Sequence, residues 1–60
     1  MFAYGYINND NISTVEVINN NIDIGNAEIV ETKWKRIWIK EVEQGTTNIK
    51  AYDERGELID

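Results

Sequence analysis

The sequence predicts an all-β domain, a small antiparallel meander or an SH3- or OB-like open barrel, on three observations. Ile supplies ten of the 60 residues and Leu one. Ile, with Val, Thr and aromatic residues, suits a pleated and half-buried surface. Short runs of these residues alternate at period two, and clusters of Asn or isolated Gly punctuate them. The alternative is an α+β arrangement, an antiparallel sheet carrying one helix at about residues 26–44.

The first run, Phe2 to Ile7, puts Phe2, Tyr4 and Tyr6 on one face and Ala3, Gly5 and Ile7 on the other. Asn8-Asn9-Asp10-Asn11 follows as a turn, because Asn and Asp bond their own main chain and tolerate left-handed backbone. Ile12 to Ile18 returns, with Val15 and Val17 facing away from Thr14 and Glu16, so the first two runs read as a hairpin. Asn19-Asn20-Asn21 is the next turn. Ile22 and Ile24, alternating with Asp23, give a brief third strand.

The middle of the chain, Asn26 to Gln44, carries both readings. As a helix, Ala27, Val30, Trp34, Ile37, Trp38 and Val42 share a stripe, Asn26 caps it, Gly45 stops it, and Glu31 and Lys35 pair at i,i+4. Against this, Glu41 enters the stripe, Ile29 and Ile39 leave it, and β-branched residues are frequent. As strands, Ile37 and Ile39 face one way with Trp38 and Val42 the other. Trp34, Arg36, Trp38 and Lys40 then share a face, and Gln44-Gly45-Thr46 turns the chain into the next strand.

Thr47 to Tyr52 is strand-like, Asp53-Glu54-Arg55-Gly56 is a type I turn ending on a Gly that supplies positive φ, and Glu57-Leu58-Ile59 returns. The string from Tyr52 to Ile59 resembles one unit of the YD repeats of large toxin and shell proteins. It occurs once over eight residues, where those proteins carry many tandem copies, so it reads as turn chemistry alone.

With no linker and no repeat, residues 1–60 form one small domain. A chain this short hides only about 60% of the surface that its unfolded form exposes. Without Cys or His it has no disulfide and no thiolate or imidazole metal site. Neither a calcium loop nor a glycine-rich phosphate loop is present, so no metal and no cofactor is expected. Stability then rests on packing or self-association, and the expectation is a homo-oligomer, most simply a homodimer.

Catalysis is not expected. A nucleophile near neutral pH usually needs a His to activate it, and this chain has none. Ser13 and the threonines read as ordinary hydroxyls. Glu41, Glu43, Asp53 and Glu54 read as a solvated face, since paired acids do chemistry only within a cleft.

Charge is unevenly laid out. The net charge is −5, from eleven acids against six bases. Four of those bases fall in Lys33-Trp34-Lys35-Arg36-Ile37-Trp38-Ile39-Lys40, which holds no acid. Trp and Arg dominate protein interfaces, and Trp among bases also serves single-stranded nucleic acid. The expectation is a small acidic binding module with a protein partner or subunit at Trp34, Arg36, Trp38 and Lys40, and Tyr4 and Tyr6 as secondary contacts.

Two alternatives use the same features. One is a nucleic-acid-binding small barrel working through residues 33–40, which the acidic net charge disfavours. The other is a structural component that functions only as an oligomer. Tiny acidic domains recur among phage and mobile-element accessory proteins, including inhibitors, and the Ile and Asn richness suits an AT-rich genome. No apolar run is long enough to span a bilayer and no secretion signal opens the chain, so a cytoplasmic protein without membrane contact is expected.

Overall fold

Period-two alternation of burial is clearest along Phe2–Ile7 and Thr14–Asn19. The structure, a computed structural model, describes residues 1–59 and contains six strands: β1 (Phe2–Ile7), β2 (Thr14–Asn19), β3 (Ile22–Asn26), β4 (Glu28–Glu31), β5 (Arg36–Glu41) and β6 (Thr47–Tyr52). They form two antiparallel sheets of three strands, sheet 1 in the order β1-β5-β4 and sheet 2 in the order β3-β2-β6. The chain is therefore all-β, as expected, and the sheets do not close into a barrel.

The two sheets meet at a corner between β3 and β4. There the Ala27 N–H donates to the Val15 carbonyl at 2.7 Å, so the strand leaving sheet 2 stays anchored to it while entering sheet 1. On the opposite side β1 and β6 share no ladder, and the arrangement is open.

The expected hairpin of the first two runs does not form. β1 pairs instead with β5 along its full length, from Phe2 opposite Glu41 to Ile7 opposite Arg36. Gly5 explains the preference: it stands opposite Trp38, and a Cβ there would lie 2.6 Å from the indole Nε1. Only a strand with glycine at this point can let the indole lie across it. Residues 8–13 make a longer connection than a two-residue hairpin turn, and they cross from one sheet to the other. The turn chemistry within them is as expected, with the Asn11 N–H donating to Asn9 Oδ1 at 2.8 Å.

The alternative helix at 26–44 is likewise absent. Thr32 closes a tight loop instead: its hydroxyl donates to the Lys35 carbonyl at 2.8 Å and accepts from the Lys35 N–H at 3.0 Å. This returns the chain so that Ile29 faces Trp38 and Val30 faces Ile37, cross-strand partners suited to β-branched side chains. Glu31 pairs with Arg36 rather than Lys35.

Ile7, Val15, Val17, Trp38 and Val42 form the core, with Ala3, Ile12, Ile24, Ala27 and Ile29 packed against it. Asn19, the one buried polar residue among those described, is fully used. Its amide donates to the Glu43 and Thr46 carbonyls at 3.2 and 2.9 Å and its oxygen accepts from the Glu43 N–H at 2.8 Å. Asn20 and Asn21 both adopt positive φ, the geometry of a two-residue hairpin turn. The C-terminal turn also forms, with Tyr52 bridging to Leu58 and the Ile59 N–H donating to the Ala51 carbonyl at 2.7 Å. Among the described residues no helix is long and apolar enough to cross a membrane.

Candidate interaction surface

Directly opposed residues of an antiparallel ladder share a face. The register of sheet 1 therefore fixes two surfaces. The inner one carries Ala3 and Ile7 of β1, Trp38 of β5 and Ile29 of β4, which join the core, with Gly5 of β1 against the Trp38 ring. The outer one carries three rows: Phe2 beside Glu41, Tyr4 beside Ile39 and Glu28, and Tyr6 beside Ile37 and Val30.

That outer surface is open. Phe2, Tyr4 and Tyr6 are 62%, 68% and 62% exposed, and Val30 is also exposed, while Ile37 and Ile39 are half-buried between their neighbours. The cause is the size difference across β1. Its small residues leave room for Trp38 on the inner side, and its three aromatic rings are turned outward. Charge marks the two ends of the apolar floor. Glu28 and Glu41 stand at one end, and Lys35 at the other holds its ammonium 4.6 Å from the Tyr6 ring centroid.

Of the six residues picked from the sequence, Tyr4 and Tyr6 lie together on this surface. Trp38 lies on the other side of β5, in the core at 8% exposure, where its own chain covers it. Arg36 and Lys40 also point to that side. The Arg36 Nη2 donates to the Ile12 carbonyl at 2.7 Å, and its Nε lies 3.3 Å from Glu31 Oε1 without the alignment of a hydrogen bond. Lys40 reaches towards Gly25. Trp34 stands apart in the β4–β5 loop at 85% exposure, with Lys33 5.6 Å from its ring centroid.

Phe2, Val30, Ile37 and Ile39 complete the surface and lie outside the set expected from the sequence. The alternation of Ile37 and Ile39 against Trp38 is visible in the sequence. The neighbour of β5 is not, and pairing with β1 is what sets two apolar stripes side by side.

Two titrating groups depart from their ordinary values. The Asp53 carboxylate is held below the usual range, first by the Glu57 N–H and then by the Arg55 N–H and guanidinium, against an opposing effect of burial. The Tyr52 hydroxyl is pushed up, first by desolvation and then by the Glu16 carboxylate, to which it donates at 3.2 Å. Both shifts move away from neutrality and both follow from local structure. Among the described residues no three acids converge on a metal site.

The open side between β1 and β6 holds a groove of about 370 Å³ beside Ile7, Ile12, Trp38, Ile49 and Ile59, without an ionisable group apart from Tyr6 at its edge. In comparisons with known proteins, no family model, no curated sequence and no solved structure matches this chain. The surface itself thus carries the functional reading.

Proposed function

We propose that this protein is a non-catalytic binding module that works by docking the outer face of sheet 1 onto another folded protein surface. The observation that carries the reading is the row of Phe2, Tyr4 and Tyr6, each more than three-fifths exposed beside Ile37, Ile39 and Val30. Contiguous exposed apolar surface of this kind is uncommon on soluble chains and marks interaction sites, and aromatic residues dominate the binding energy of such sites.

The perturbed groups support a role without catalysis. A working acid or base needs a pKa drawn towards neutrality, whereas Asp53 stays charged as a turn-holding acceptor and Tyr52 stays protonated beside Glu16. The placement of the bases favours a protein over nucleic acid. Arg36 is spent on Glu31 and the Ile12 carbonyl and Lys40 is half-buried, which leaves Lys33 and Lys35 as the exposed bases of the segment, too few for a phosphate-tracking groove.

Affinity capture with the full chain tests the reading. Immobilised wild type is expected to retain protein, copies of this chain included, with little dependence on salt. Tyr4→Ser/Tyr6→Ser, with an unchanged melting profile, is expected to lose it. Equal retention by both, or capture of nucleic acid alone that rising salt releases, overturns the proposal.

A further inference from the structure

Resting on that reading of the same face, we propose that its occupant is a second copy of this chain, packed face to face with β5 running antiparallel over β5 of the other copy. The outer side of β5 and its approach reads Lys35, Ile37, Ile39, Glu41. Turned end for end, it reads Glu41, Ile39, Ile37, Lys35. Every residue then meets its complement: Lys35 faces Glu41 of the second copy, Ile37 faces Ile39, and both contacts occur twice by symmetry.

The neighbouring strands follow the same rule. Tyr4 stands beside Ile39 and Tyr6 beside Ile37, so Tyr4 of each copy falls over Tyr6 of the other. Glu28, beside Ile39 on β4, comes within one row of Lys35 of the second copy. The loop bearing Trp34 is carried towards the exposed Met1, whose carbonyl accepts from the Val42 N–H at 2.8 Å just beyond β5.

Charge selects this symmetry over its competitor. A twofold axis lying across the strands produces the pairing above. An axis lying along the strands is the other way to stack the two faces, and it sets Lys35 on Lys35 and Glu41 on Glu41, which is repulsive. Area permits the association. Three aromatic side chains that are about two-thirds open, with Val30 and two half-buried Ile, offer about 500 Å² per copy and about 1,000 Å² for the pair, the lower size of a specific interface.

Sedimentation equilibrium on the full chain, with melting curves to check folding, decides the matter. Wild type at about 100 μM is expected at twice the 7.0 kDa chain mass. Lys35→Glu and Glu41→Lys are each expected to raise the dimer dissociation constant about tenfold, because symmetry introduces the altered contact twice. The combined variant is expected to return to within about threefold of wild type, a coupling that only a direct pair produces.

A monomeric wild type overturns the proposal, and so does a dimer in which the two reversals simply add. A dimer left intact by Tyr4→Ser/Tyr6→Ser overturns it as well, since the contact then lies elsewhere. If wild type is monomeric yet loses captured protein on that double substitution, the second copy fails as occupant while docking through this face stands.

Discussion

The two sheets share one construction and present opposite outer faces. In sheet 2 the outward positions are Thr14, Glu16 and Ile18 on β2 and Asn48, Lys50 and Tyr52 on β6. Glu16 stands opposite Lys50 and accepts from the Tyr52 hydroxyl, so polar groups there find partners or water. In sheet 1 the equivalent positions are Phe2, Tyr4, Tyr6, Ile37, Ile39 and Val30, closed off only at the ends by Glu28, Glu41 and Lys35. An antiparallel sheet with one side on the core normally gives its other side to water. Sheet 2 does so, and the departure in sheet 1 is the ground on which its face is proposed as a place of contact.

The contrast breaks most sharply across β5, whose two faces serve different ends. Trp38→Ala removes a buried side chain from the core and is expected to cost about 3–5 kcal/mol, a large part of the stability of so small a domain. Trp34→Ala, in the exposed loop four residues earlier, is expected to stay within about 0.5 kcal/mol in the monomeric state. Urea denaturation of both variants at low protein concentration checks the pair. Equal losses would mean that Trp34 is packed as deeply as Trp38 and would remove the distinction between an inward and an outward indole.

Gly5 gives the next test, because it is where the inner face of sheet 1 depends on the absence of a side chain. Gly5→Ala drives a methyl against the Trp38 ring and is expected to cost about 1–3 kcal/mol through overpacking. Trp38→Phe withdraws the Nε1 end of the ring that the methyl meets. The double variant is therefore expected to be more stable than the two separate losses predict, with a coupling of about 0.5 kcal/mol or more. Strict additivity in a double-mutant cycle would show that the close approach of Gly5 to Trp38 is not what pairs β1 with β5.

That pairing also marks the boundary of what the residues disclosed on their own. The first two strands are legible locally, since β1 and β2 alternate and the Asn and Gly turns supply the φ values their chemistry suggests, whereas β4 and β5 lie in the segment that also reads as a helix. The choice of neighbour is not local. Val15 and Val17 announce a buried face without saying which strands flank it, and nothing in Phe2 to Ile7 points to a partner over thirty residues away except a glycine whose meaning needs Trp38 beside it. The candidate surface inherits that limit. Tyr4 and Tyr6 were recognisable as outward rings, but Ile37 and Ile39 became part of the same floor only through the β1–β5 register, while the basic segment divided between core margin and loop.

The smallest expected effect sharpens the comparison from the side of sheet 2, whose end is held by charge rather than by apolar contact. The Asp53 carboxylate accepts from the Arg55 and Glu57 N–H groups, both at 2.9 Å, and this keeps its folded pKa below the unfolded value. A depressed acid contributes stability in full above its unfolded pKa and loses that contribution as the pH falls through the folded one. Acidification is therefore expected to loosen the turn at 53–57 through Asp53. Amide hydrogen exchange at Arg55 and Glu57 reads this directly. Asp53→Asn should exchange faster than wild type near neutral pH, and the difference should shrink as acidification protonates the wild-type carboxyl as well. A difference of the same size at neutral and at acid pH would place the holding force of the turn in its backbone geometry, with Gly56 at φ 84°, and not in the charge of Asp53.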